Sequence, residues 1–307
     1  GQPPAAHAPQ ASKIMTGVFL VLLSSFLYGV EPTVRQLAVS GGGVAPVTSQ
    51  AVSYAFLLAY TLLYCLLTRS SLRIGRRDTL FLLGVGALGS GVPAILLVLA
   101  YQYMPVGCAT VLHFLYPTVV CAASALILHE RLSGFHLLAV VLSIAGLACI
   151  SLTSFEASAT GIVLAVLSAL AYAFYLLALG RRPCGGVPLP VRMFYVFVGG
   201  AAITLALLPF FGPVELPPAG AAGALALAGL LSMAAAGMLL AGLRRLSSTT
   251  AAFFCLLEPV TSVVLSTVVF RYDFTAVMIV GCALIGTSML CVCAADLRAA
   301  RRKEARA

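Results

Sequence analysis

Two acidic side chains, Glu31 and Glu258, lie well inside long apolar stretches of the sequence. An ionisable group is costly in an apolar span and usually faces a cavity or a partner, so each residue marks a candidate site. Glu258 is about ten residues into its stretch, and the next residue, Pro259, would kink a helix and expose carbonyls. We expect Glu258 to contact a bound molecule or a proton. A carboxyl that holds helices together by hydrogen bonds is the alternative.

Glu31 precedes Pro32 and lies four residues before Arg35, which puts the acid and the arginine on one helical face. This spacing has two interpretations. Glu31 either forms an ion pair with Arg35 near the membrane surface, or lines a cavity and contacts substrate or a proton.

A histidine, His113, lies one helical turn before Tyr116 in another apolar stretch. Because histidine titrates near neutral pH, His113 is a candidate for proton coupling together with Glu31 and Glu258. A histidine that is hydrogen-bonded within the helix packing is the alternative.

Tyrosines are the second chemical theme, and no tryptophan is present. Tyrosine rings attract cations through their faces, and their hydroxyls hydrogen-bond carboxylates, so those inside the apolar stretches are candidates to line a cavity. They are Tyr28, Tyr116, Tyr172, Tyr175 and Tyr195. Those nearer the ends of the stretches are expected to anchor at the membrane surface: Tyr54, Tyr60, Tyr64, Tyr101, Tyr103 and Tyr272.

A glycine pattern at Gly84, Gly86 and Gly89 resembles a nucleotide-binding fingerprint, but it lacks the strand and turn that such a site needs. With Gly91 and Pro93, these glycines are expected to permit close packing or bending of a membrane helix instead of binding a nucleotide. No cluster of metal-ligating residues is visible, and the sequence predicts neither a metal site nor a cofactor.

The composition indicates which elements position these residues. Of 307 residues, 61% are hydrophobic and 9% are charged, which excludes a soluble domain, a disordered chain and a nucleic-acid-binding protein. One membrane crossing takes about 20 apolar residues. The apolar stretches predict an all-α polytopic membrane protein with ten transmembrane helices, at about 14–39, 46–68, 79–103, 106–129, 134–153, 160–180, 190–210, 219–243, 248–270 and 275–295.

The basic residues predict the orientation of these helices. With the N-terminus in the cytoplasm, 16 of the 18 Lys and Arg residues fall on the cytoplasmic side, and both termini lie there. Glu156, Glu215 and Asp273 fall in the outside loops.

The two halves of the chain repeat each other. Residues 101–151 align without a gap on 243–293 at an offset of 142, which pairs Pro117 with Pro259 and Tyr116 with Glu258. The first helices align at an offset of 144, which pairs Tyr28 with Tyr172. We expect a polar tail at 1–13, a first five-helix repeat at 14–153, a second at 160–295 and a basic cytoplasmic tail at 296–307. Because five is odd, the second repeat is inverted, an architecture typical of alternating-access transporters with a site between the halves.

The sequence resembles the drug/metabolite transporter superfamily, of the EamA type, from about Gly17 to Cys291. The resemblance rests on the arrangement of ten helices as five plus five and on Tyr116-Pro117 followed by His129-Glu130-Arg131-Leu132. It also rests on the recurrence of the proline in the second repeat, at Glu258-Pro259. The second repeat departs from the pattern, since Arg271-Tyr272-Asp273 replaces the family's Glu-containing ending. Amino acids or related zwitterions are the substrate class that the resemblance implies.

We therefore expect a secondary transporter of small polar metabolites that works by alternating access, with proton coupling as an open alternative, in the inner (plasma) membrane of a prokaryote. A transporter of organic cations such as quaternary amines is the first alternative. A membrane-embedded enzyme is the second, although the spans contain no recognisable catalytic set. The expected partners are a small-molecule substrate, the lipid bilayer and protons; a monomer and a homodimer are both compatible with the sequence. Pro32, Pro93, Pro117 and Pro259 are the expected helix kinks.

Overall fold

The computed structural model of the protein describes residues 10–44, 46–104, 106–127, 129, 132–151, 158–181, 184, 186–207, 210, 216–271, 273 and 275–304. Several predicted features fall outside these ranges, including most of the tail 1–13, the loop acids Glu156 and Glu215, and the Glu130-Arg131 pair.

The described residues contain helices and no strand, and we number the ten helical units α1 to α10. The parts of these helices that could cross a membrane are mainly apolar, as expected for helices that face lipid on one side and protein on the other. Nine contain an apolar stretch long enough to cross a membrane, while the apolar part of α5 is shorter. The bounds are Gln10–Gly42 (α1), Pro46–Leu67 (α2), Arg76–Gly86 with Ala87–Gly91 and Val92–Ala100 (α3), Val106–His113 with Tyr116–Leu126 (α4), Gly134–Ser151 (α5), Ala159–Arg181 (α6), Leu189–Leu207 (α7), Ala219–Gly242 (α8), Ser248–Phe254 with Leu257–Phe270 (α9), and Ala276–Glu304 (α10).

Helices α4 and α9 are broken at equivalent places. Proline has no N–H and clashes with the carbonyl four residues before it, and Pro117 and Pro259 act on the carbonyls of His113 and Cys255. The first segments accordingly end at His113 and Phe254. At each break a backbone N–H donates to the carbonyl three residues earlier, as in a 3₁₀-helix, rather than four residues earlier.

Helix α3 is irregular in a different way, because Ala87–Gly91 forms a π-helical turn in which the Val92 N–H donates to the carbonyl of Ala87. Pro93 follows that turn directly. Helix α1, by contrast, continues without interruption across Pro32.

The structure corrects several predicted helix bounds. Helices α4 and α9 were expected to be single spans with kinks at Pro117 and Pro259, and the structure divides each into two segments just before that proline. Helix α10 was expected to end at 295, before a basic tail, but it continues to Glu304. The reason is that Arg, Lys, Glu and Ala are good helix formers, so a helix need not stop where the apolar stretch ends.

The two halves interlock rather than lie side by side. Helix α1 packs most extensively against α8, and α6 packs in the same way against α3. Two hydrogen bonds mark these contacts: the Ser24 hydroxyl donates to the Ala235 carbonyl at 2.7 Å, and the Ser168 hydroxyl donates to the Pro93 carbonyl at 2.9 Å. Ser24 and Ser168 are 144 residues apart, and Pro93 and Ala235 are 142 apart, so the offsets of the sequence repeat recur as matching contacts.

Candidate functional site

A cavity of about 170 Å³ lies between the two halves. Its volume is close to that of an apolar cavity that holds one benzene molecule. Each repeat contributes four of the residues that line it: Tyr28, Ser90, His113 and Tyr116 from the first, and Tyr172, Tyr175, Phe197 and Glu258 from the second.

Six of the eight residues that the sequence suggested for a cavity lie around this space. The exceptions are Glu31 and Tyr195, and the Tyr195 hydroxyl donates to the Leu72 carbonyl at 2.8 Å. Arg35 donates from Nε to Glu31 Oε1 at 2.9 Å, and its other nitrogens contact Glu31 and the side chain of Gln50 on α2. This geometry matches the ion-pair interpretation of Glu31. Whether any of these eight residues binds substrate or a proton stays a prediction.

Aromatic rings form one continuous wall of the cavity. The rings of Tyr116 and Tyr172 meet edge to face with centroids 4.7 Å apart, and Tyr172 stacks on Tyr175 at 5.6 Å. His113 lies 5.7 Å from both Tyr116 and Tyr172. The wall therefore combines faces that attract a cation with hydroxyls that hydrogen-bond a polar ligand.

The protonation pattern of His113 follows from its contacts. Its Nδ1 lies 2.7 Å from the Ser168 hydroxyl, and that hydroxyl also lies 2.9 Å from the Pro93 carbonyl. A hydroxyl has one hydrogen, which the carbonyl must receive, so both contacts are hydrogen bonds only when His113 donates from Nδ1. In the neutral ring, Nε2 is then an acceptor.

Glu258 belongs to the first turn of the second segment of α9. A Cβ added at Gly29 of α1 would lie 2.7 Å from the Glu258 carbonyl oxygen, so the two helices touch at this level. The Glu258 and Glu31 carboxyls are close enough to interact electrostatically. Among the described residues, no lysine or arginine forms a salt bridge with Glu258.

Sequence reasoning missed Ser90, Phe197 and the neighbour Tyr54. Ser90 lies in the π-helical turn, and its hydroxyl is 2.9 Å from that of Tyr54. Tyr54 was expected to anchor at the membrane surface, and this contact places its hydroxyl beside the cavity wall instead. The glycines around Ser90 were the available signal, but a π-helical turn has no sequence signature of its own.

The glycines in and beside that turn were expected to permit close packing of helices, and three of the four do so. An added Cβ would lie 2.0 Å from the Val196 carbonyl at Gly86, 2.4 Å from Tyr175 at Gly89 and 2.1 Å from Ile203 at Gly91. At Gly84 it would meet nothing within 4 Å. The first three glycines therefore let α3 approach α6 and α7, and Gly84 does not share that role.

The first segment of α9 is packed inside the structure, and its residues from Thr249 to Phe254 are buried. Thr249 donates to the Ser124 hydroxyl of α4 at 3.1 Å, and Ser248 donates to the Leu176 carbonyl of α6 at 3.1 Å. The equivalent segment of α4, Val106–His113, lies mainly against α6 and α5. The two ends of the pseudo-symmetric structure are thus packed differently.

A search of the described residues for groups of His, Cys, Asp and Glu that could hold a metal ion finds none.

Comparison with known proteins identifies the family. The sequence profile of the EamA-like transporter family matches residues 15–152 and 159–294. No curated protein matches the chain. One solved structure, described as a crystal structure of a protein, superimposes with a TM-score of 0.74 and 20% identity over 92% of this chain and 98% of its own. That likeness concerns the fold.

The predicted family is confirmed, and so is the all-helical membrane fold built of two five-helix repeats. The orientation of the termini stays a prediction. The chain belongs to the EamA-like transporter family, within the drug/metabolite transporter superfamily, and is a multi-pass membrane transporter.

Proposed function

We propose that this transporter moves small zwitterions such as amino acids, with the substrate's ammonium group at Glu258. The observation that carries this proposal is an acid in the cavity wall with no salt bridge to Lys or Arg among the described residues. Arg35, a basic residue of α1, is engaged by Glu31 and Gln50 instead. An uncompensated carboxylate at this place favours a cation, and the tyrosine faces beside it add to that preference.

The carboxylate end of the substrate has a counterpart in α4. The second segments of α4 and α9 start at Tyr116 and Leu257, beside the cavity, and a helix N-terminus attracts anions. In α9 that end already holds the Glu258 carboxyl group. In α4 the equivalent position is Tyr116, which has no charge and leaves the helix end free to bind a carboxylate.

Organic cations are the second candidate, because the wall of four tyrosines and one acid would also suit a quaternary amine. The cavity volume favours a molecule of about the size of a small amino acid in either case.

The proposed cycle is alternating access between the two repeats. In this cycle we take the first segment of α9, which is buried, to close one end of the cavity, and the charge distribution predicts that end to be the cytoplasmic one. In this proposal, Glu258 and His113 are the groups that would couple the cycle to protons, since both line the cavity and both can titrate. The inner membrane of a prokaryote is the location that we expect.

Transport into proteoliposomes tests the proposal. The labelled substrates are a small amino acid, the matching amine without the carboxylate, and the matching acid without the amine, each with and without a pH gradient. We expect the amino acid to be transported best. Equal transport of the amine would favour the organic-cation alternative, and flat traces for all three would contradict both.

A variant pair assigns the effect to the cavity. Glu258→Gln removes the charge in the wall and should abolish transport of amine-bearing substrates or its response to pH. Asp273→Asn, at an exposed acid between α9 and α10, should behave like the wild type. A wild-type rate and pH profile in the Glu258 variant would remove this residue from the mechanism.

A further inference from the structure

An arginine is buried at the start of α7, away from the cavity. Arg192 is the fourth residue of that helix and is only 4% exposed. Its Nε donates to the Val187 carbonyl at 2.9 Å, which folds the side chain back toward the segment that precedes the helix. Its Nη2 is buried and has no hydrogen-bond partner among the described residues. A guanidinium that is removed from water and only partly hydrogen-bonded is unstable without a counter-ion.

The charged neighbour of this guanidinium has the same sign. Arg244, just after the end of α8, is close enough to repel Arg192 electrostatically. The other titratable group close to Arg192 is the thiol of Cys184, which does not repel it. The segment 182–188 contains no Asp or Glu, and no salt bridge to Arg192 occurs in the part of the chain that the structure describes. Within the part of the chain that the structure describes, no acidic side chain therefore pairs with Arg192.

The start of α7 adds to this positive potential. The helix has 19 residues, and the partial positive charge of its N-terminus lies beside the folded-back Arg192 side chain. A helix N-terminus, a buried arginine with an unpaired nitrogen and a second arginine thus converge at one place. An anion would satisfy all three.

We propose that this place is a binding site for a phosphate group. The planar guanidinium presents paired N–H donors that match phosphate oxygens, which favours phosphate over a monovalent halide. Arg192 lies three residues, or about 4.5 Å, inside the first residue of a membrane-crossing helix, at the level of lipid headgroups. The side of the membrane is the one on which 16 of the 18 basic residues are predicted to lie. A phospholipid headgroup and inorganic phosphate share the required chemistry.

Thermal unfolding of the full-length protein in a maltoside detergent tests the site. The additions are sodium chloride, inorganic phosphate at equal ionic strength, short-chain phosphatidylglycerol, and the matching diacylglycerol, which lacks phosphate. We expect a rise in the wild-type unfolding temperature of a few degrees with a phosphate-bearing ligand and none with diacylglycerol. A rise with both phosphate and phosphatidylglycerol identifies recognition of the phosphate group itself. A rise with phosphatidylglycerol alone identifies a lipid site.

Three variants keep the test decisive. Arg192→Gln should abolish the rise, and Arg244→Gln, at an exposed position that should not disturb folding, should reduce it. Arg245→Gln is the matched control, because Arg245 is exposed and donates to the Ala241 carbonyl of its own helix. No rise in the wild type, or an equal rise in all four proteins, would overturn the proposal. Since transport is not the readout, the result is independent of the substrate proposed for the cavity.

Discussion

Replacing Gly86 by alanine adds one methyl group at the closest contact between α3 and α7. The new Cβ would lie 2.0 Å from the Val196 carbonyl oxygen, whereas ordinary contact begins at 3.4 Å, so the helices would have to separate by about 1.4 Å. The obstacle is backbone, which cannot rotate away as a side chain can. Gly199 makes the reciprocal contact, with an added Cβ 2.1 Å from the Leu83 carbonyl, so both sides of this interface are already at their limit.

Gly84→Ala is the matched control, since it lies on the same helix two residues earlier and its Cβ meets nothing within 4 Å. Alanine gains about 1 kcal/mol of helix propensity over glycine at both positions, and this gain cancels in the comparison. Overpacking of a tight interior costs about 1–3 kcal/mol. Because the overlap at Gly86 is large and rigid, we expect the difference in free energy of unfolding to be about 2–3 kcal/mol.

Detergent-induced unfolding of the two purified variants measures that difference. Transport should also fall in Gly86→Ala, because Ser90 and the π-helical turn follow directly and line the cavity. Equal unfolding midpoints for the two variants would refute the close approach of α3 and α7 on which the cavity wall depends.

Two further predictions concern the cavity and the link between the halves. Tyr172→Ala should weaken substrate binding about tenfold, as expected for loss of one aromatic face, and Tyr60→Ala should not; equal effects in a binding assay would contradict the cavity assignment. Ser24→Ala and Ser168→Ala should each lower the free energy of unfolding by about 1 kcal/mol. The Ser168 variant should lose more free energy of unfolding, because it also removes the hydrogen-bond partner of His113. Identical losses in the two variants would argue against the contact between His113 and Ser168.

The sequence predicted those parts of the fold that depend on long patterns. Apolar runs fix the number of helices because each must span the same membrane thickness, and the offsets of 142 and 144 reappear as the paired bonds of Ser24 and Ser168. The places where the backbone departs from a regular helix could not be read from hydrophobicity. The breaks before Tyr116 and Leu257 interrupt runs that are apolar throughout, and only Pro117 and Pro259 signal them.

The residues of the candidate site that have distinctive chemistry were predicted from the sequence. Those that only the packing of distant helices brings to the cavity were not. Tyrosines, a histidine and an acid are conspicuous in apolar stretches, and Tyr28, His113 and Glu258 do lie around one cavity. Ser90 and Phe197 are ordinary residues for a membrane helix. Only the π-helical turn and the contact of α3 with α7 bring them to the cavity wall, and such contacts between distant helices are not encoded in local spacing.

The interlocking of the halves has a consequence for biosynthesis. The Ser24 hydroxyl of α1 bonds a carbonyl 211 residues later in the chain, within the helix that α1 packs against most. At about 5–20 residues per second, α8 is synthesised roughly 10–40 s after α1 enters the membrane. During this interval Ser24 lacks its final acceptor, and a carbonyl of its own helix is available to it, as the Val21 carbonyl is to Ser25 in the finished protein. Helix α1 therefore waits for the second repeat before it reaches its main partner, and a chain truncated after the first repeat would lack the helix that α1 packs against most.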